Sequence, residues 1–216
     1  SVSSLEQPPI VLDKMPVCGN CHSFSTDGAV LGMDVDYADD KGSYATCAVE
    51  EEMLLNADNI ISWSAYKPEP DKRTFGLLSQ VSPDGRYAIS TVKDQSVFIA
   101  VPNLEFSQLF FPVQGILAFY NREADLFNAL PGADDPDFVQ SNPSWSPDGT
   151  EIVFARNEAY YVEGGQANSF GISKPEEVEV FLNGTESFQY DLYRIPFNEG
   201  QGGEAEPIPG ASNNGM

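Results

Sequence analysis

The sequence predicts an all-β fold: a β-propeller built of four-stranded antiparallel blades, three of them within these 216 residues. Three observations carry that expectation. A turn motif recurs as "SFSTDGAVLGMDV" from Ser23, "QVSPDGRYAISTV" from Gln80 and "SWSPDGTEIVFAR" from Ser144. Each copy runs into a segment rich in β-branched and aromatic residues. Amphipathic helical periodicity is weak throughout.

The motif reads aromatic or aliphatic, Ser, Pro or Thr, Asp, Gly, then an apolar strand, with its serines at Ser25, Ser82 and Ser146. Asp-Gly makes a tight hairpin turn because glycine accepts positive φ, and proline pre-sets φ at the first turn position. "RYAIST" and "EIVFAR" are the strands that leave the second and third turns. Third strands follow in "GSYATCAV", "GILAFYNRE" and "YDLYRIPF", and fourth strands in "DLFNALPGADD" and "AEPIPGASN". A unit of four short antiparallel strands, repeated in register, is a propeller blade. The blades are expected at about 23–75, 76–138 and 139–216, after an N-terminal segment 1–22. A helical turn or two is expected in the link 51–66. The stretch 157–189 reads as an insertion between the second and third strands of the last blade, long for a blade loop.

Acidic residues outnumber basic ones 33 to 11, for a net charge of −22. That charge repels phosphates, so neither a nucleic acid nor an anionic membrane is expected as a partner. No apolar run approaches the roughly 20 residues that span a bilayer, so no membrane span is expected. The first residues, "SVSSLEQPPIVLDKMP", lack the basic start and apolar core of a signal peptide.

The chemistry concentrates in "VCGNCHSF". Two of the three cysteines and the sole histidine stand as Cys18-x-x-Cys21-His22. This is the attachment motif of c-type haem: two thiols form thioethers to the porphyrin vinyl groups, and the adjacent histidine ligates the iron. Other readings of the pair are a redox dithiol, half of a zinc site or an ordinary disulfide. The first lacks a βαβ context, and the second lacks further ligands to complete it. Cys47 reads as a small buried hydrophobe. Covalent haem of this kind is attached outside the cytoplasm, which points to a periplasmic or extracellular bacterial protein.

The Ser-Pro-Asp-Gly repeats resemble the TolB-type propeller family. More closely, "CGNCHSFSTDGAVLGMDVDYADDKGSYA", "GILAFYNREADLFNALPGADDP" and "YDLYRIPFNEGQGGEAEPIPGASNNGM" are similar to a group of exported bacterial propellers with one C-x-x-C-H at the start of the first blade. The resemblance runs from about Val17 to Met216. It implies that the strand bearing His22 lines the central channel, with the haem at the channel mouth. It also implies further blades past "ASNNGM", to about six or more in all. Three blades do not close a ring, so their partners are expected to be further blades, further chain or other subunits, together with a redox partner protein.

The sixth iron ligand is open at this level. Met15, Met33, Met53 and Met216 are the thioether candidates, with Met33 nearest after the first turn; Tyr37 and Tyr44 are weaker oxygen candidates. Leu31, Met33 and Val35 share one strand face, which is also the pattern of core packing. Asp34, Asp36, Asp39 and Asp40 offer hard oxygens to calcium, although without the EF-hand pattern. Three functions fit: a monohaem cytochrome for electron transfer, a haem enzyme with an open iron site, and an interaction module in which haem is structural.

Overall fold

In the computed structural model each Ser-x-Asp-Gly turn closes on the same hydrogen bonds. The hydroxyls of Ser25, Ser82 and Ser146 donate to Asp27, Asp84 and Asp148 at 2.6, 2.5 and 2.7 Å. The same oxygens accept from the N–H groups of Val30, Tyr87 and Glu151, each at 2.9 Å. Gly28, Gly85 and Gly149 take φ of 71°, 72° and 72°, the left-handed conformation this turn demands. The structure describes residues 19–67, 74–100, 108–160 and 189–212.

The described residues form strands and three short 3-10 turns. β1 (Gly19–Phe24), β2 (Val30–Tyr37), β3 (Asp40–Ala48) and β4 (Ile60–Ser62) make a four-stranded sheet in that order, each pair antiparallel. β5 (Leu77–Val81), β6 (Tyr87–Ala100), β7 (Gln108–Asn121) and β8 (Leu126–Ala129) repeat the arrangement. So do β9 (Phe138–Trp145), β10 (Glu151–Glu158), β11 (Asp191–Pro196) and β12 (Glu206–Pro207).

Two features depart from the expectation. The link 51–66 contains 3-10 turns at Ala57–Asn59 and Trp63–Ala65, but β4 lies between them and supplies the first unit's fourth strand. The second and third units are also not separate sheets: a single parallel bridge, Gly115 to Val139, joins β7 to β9. Gly115 has φ 153° and a Cβ there would meet Thr91 at 2.5 Å. Without a side chain, the long β7 can bend past the neighbouring unit at that point.

Alternation along the strands decides how the units stack. Ala88, Val92, Ile116 and Ala118 leave one face of the second unit and pack on Tyr44, Ile61, Trp63 and Tyr66 of the first. Tyr87, Ile89, Leu117 and Phe119 leave the opposite face and pack on Ile152, Phe154, Ile195 and Phe197 of the third. The two central strands of the middle unit, β6 and β7, are therefore apolar on both sides, as a sheet sandwiched between two others requires. The turns add polar stitches: the N–H of Thr26 donates to Pro83 O at 2.8 Å, between the first and second turns. On the opposite face of the first unit Leu31, Met33, Val35 and Ala45 are buried, while Phe24 remains exposed.

Candidate functional site

Cys21 and His22 lie in β1, the edge strand of the first sheet. Cys18 and Met15 fall outside the described residues, as do Met216 and the bulk of the insertion, 161–188. The register of β1 on β2 slips between Asn20 and His22, and Cys21 sits in the bulge with φ 36°. A bulge re-aims side chains that regular alternation would send to opposite faces. Cys21 and His22 are consecutive and both exposed.

Beyond the bulge, His22 pairs with Met33, Ser23 with Gly32 and Phe24 with Leu31. Partners in a register share a sheet face. His22 and Phe24 therefore leave the sheet on the side of Leu31 and Met33, and their rings meet edge to face with centroids 5.9 Å apart. Ser23 leaves on the other side, where its hydroxyl accepts from Val81 N–H at 2.9 Å and bonds Tyr44 Oη at 3.1 Å.

That inner side is a buried polar seam between the first two units. Asp34 lies there, hydrogen-bonded by the hydroxyl and N–H of Ser79, and burial pushes its carboxyl up to about 7. Ser79 Oγ also lies 2.9 Å from Ser90 Oγ, which extends the seam into the second unit. Burial raises the Cys21 thiol, and the charge of Asp34 raises it further. A thiol held up in this way is a weak nucleophile, which is unfavourable to the redox-dithiol reading. Cys47 is a buried free thiol on β3, opposite Leu31.

The remaining expected residues separate. Met33 is buried in a cluster with Val35 and Ala45, against Tyr37, Leu55 and Ile60. Tyr44 faces the seam, opposite Asp34 in register and away from His22. Met53 is partly buried in the loop after β3. The four aspartates do not converge: Asp40 accepts from Ser62 and Ser64 at 2.5 and 2.6 Å and ties β3 to β4. No group of three or more metal-ligating side chains is present among the described residues.

The sequence reading missed the Asp34–Ser79 seam and the exposure of Phe24. Neither has a motif; each follows from which strand face meets a neighbour. It also missed an open cleft of about 450 Å³ across the turns, bordered by Thr26, Asp84, Trp145, Asp148 and Glu199. The cleft contains none of the haem-motif residues.

No protein-family profile matches this sequence, and no curated protein matches it. Among solved structures it is similar to the tricorn protease, at 8% identity and a TM-score of 0.44, over 90% of this chain and 17% of that one. TolB from Acinetobacter baumannii matches at 10% identity and a TM-score of 0.42, over 91% and 34%. Kuenenia stuttgartiensis hydrazine synthase matches at 14% identity and a TM-score of 0.36, over 88% and 54%. TolB-type β-propeller proteins are thus among the structural neighbours. The chain spans less than two thirds of each of these three.

Proposed function

We propose that these residues are three blades of an exported, TolB-type β-propeller that carries one c-type haem on Cys18, Cys21 and His22 and transfers electrons outside the cytoplasm. The carrying observation is the bulge in β1, which leaves Cys21 and His22 exposed side by side on an edge strand. The described half of the motif therefore fits the group. Cys18 and Cys21 would hold the porphyrin edge and His22 the iron.

When bound, the haem supplies a one-electron carrier. The chain's own part is to hold it on a rigid sheet, at an edge that a protein partner can approach. The surplus of carboxylates favours a basic redox partner through complementary charge. The stacking of the three units favours further blades or subunits, because three blades do not close a ring.

A haem enzyme with an open iron site is the second reading. It is favoured by Met33, which is His22's cross-strand partner but stays packed in the core.

Expression of the chain in a bacterial periplasm with haem-attachment machinery tests the proposal. Denaturing mass spectrometry should find one haem bound to the chain, and Cys21→Ser should weaken or abolish that attachment. Complete loss of haem from the parent on acid–acetone extraction would overturn the reading. A low-spin spectrum indifferent to added small ligands separates electron transfer from the open-site alternative.

A further inference from the structure

We propose that the exposed face of β1, with Phe24 as its main contact, is the bed on which the haem tethered at Cys21 lies, and that Met33 does not ligate its iron. The inference rests on the haem reading above and goes further in assigning residues that no motif marks.

The register supplies the first argument. His22 and Met33 are direct cross-strand partners and emerge from one face of one sheet. Such partners have Cβ atoms only about 4.5–5.5 Å apart. Two axial ligands must approach an iron from opposite sides of a flat macrocycle. A macrocycle ligated by an outward-pointing His22 has Met33 on the histidine's own side. One turned edge-on between the two side chains would run into the paired backbones of β1 and β2, about 4.8 Å apart. Neither arrangement lets Met33 reach the far side.

Packing supplies the second. Met33 is 7% exposed, with Val35, Ala45 and Ile60 among its neighbours. Drawing it out would open a cavity in the first unit's own core.

Phe24 is the opposite case. It is 50% exposed and sits two residues beyond His22 on the same face, its ring already edge to face with the imidazole. Apolar area left in water costs about 25 cal/mol per Å², and a porphyrin is a large flat apolar body. The tether decides the occupant: Cys21 and His22 belong to the same strand as Phe24, so a haem bonded to Cys21 reaches this face before any other molecule does.

The experiment uses the haem-loaded full chain and three variants, Phe24→Ala, Phe24→Leu and Met33→Leu, each checked by far-ultraviolet circular dichroism. Phe24→Ala should lose most of the Soret-region dichroism and show a lower reduction potential, because water gains access to the haem. Phe24→Leu should stay close to the parent in both. Met33→Leu preserves core volume and should leave the ligand-field spectrum and potential unchanged. Parent-like dichroism and potential in Phe24→Ala would overturn the bed. Disappearance of a methionine–iron band in Met33→Leu would overturn the exclusion of Met33. Absence of covalent haem from the parent would instead overturn the underlying haem reading, so the two failures are distinguishable.

Discussion

The hydroxyl of Ser82 donates to Asp84 at 2.5 Å while accepting from the N–H of Tyr87 at 2.9 Å. One buried side chain thus joins the two ends of the second turn. Ser82 is 2% exposed, so Ser82→Ala leaves a buried N–H without its acceptor. The expected cost is about 1–3 kcal/mol. Ser146 makes the same bonds in a more open position, where water can replace the hydroxyl, so Ser146→Ala should cost less than about 1 kcal/mol. Urea denaturation of both variants checks the order. A Ser146→Ala loss equal to that of Ser82→Ala would show that the turns are not graded by burial.

Gly132 belongs to the Pro-Gly-Ala segment that closes the second unit. It has φ 90°, and a Cβ there would stand 1.9 Å from the carbonyl oxygen of Gly203 in the third unit. Backbone cannot yield as a flexible side chain does. Gly132→Ala therefore combines left-handed strain with a steric clash, and should lower stability by more than about 2 kcal/mol. Gly28 has a similar φ with nothing within 4 Å, so Gly28→Ala should cost only the conformational part, about 1 kcal/mol. Thermal melts of the two variants separate space from φ; equal losses would show that the approach of Gly203 is immaterial.

Trp63 is fully buried between the first two units, its ring edge to face with Phe127 at 5.4 Å. Among the described residues its indole N–H meets no acceptor. Trp63→Phe removes that unpaired donor along with some volume, and should cost no more than about 1.5 kcal/mol. Trp63→Ala empties the site and should cost about 3–5 kcal/mol. Chemical denaturation measures both, and a Trp63→Phe loss as large as that of Trp63→Ala would mean that the indole makes a bond essential to the interface.

The turns were legible because Ser, Asp and Gly each do local work that depends on only six consecutive residues. The strands beside them were legible for the same reason. β4 was not: it has three residues, Ile60–Ser62, between two 3-10 turns, and a strand that short has no period to read. The bridge from Gly115 to Val139 was not, because it depends on two units meeting in space. At the site, the spacing of Cys18, Cys21 and His22 names a chemistry. The exposure of Phe24, the burial of Met33 and the pairing of Asp34 with Ser79 depend on which face of the first sheet meets the second. Alternation shows that Leu31, Met33 and Val35 share a face, but not whether that face is covered.

Asp34 gives the protein a pH dependence of definite sign. In the folded chain burial outweighs the hydrogen bonds from Ser79 and raises its carboxyl to about 7. In the unfolded chain the carboxyl returns to an ordinary value of about 3.9. Between about pH 4 and pH 7 the folded state holds a proton that the unfolded state has released, so this residue's contribution to stability falls as pH rises through that window and levels above it. Asp94 is raised in the same direction by burial but is present in parent and variant alike. Asp34→Asn retains an oxygen to accept from Ser79 and cannot ionise. The variant should therefore match the parent near pH 4 and exceed it above pH 7 by at least about 1 kcal/mol. Urea midpoints for both proteins at pH 4, 5.5 and 8 test this: the gap should open steadily with pH. A gap that is constant across the three, or that closes as pH rises, would show that Asp34 does not carry its proton into the folded state.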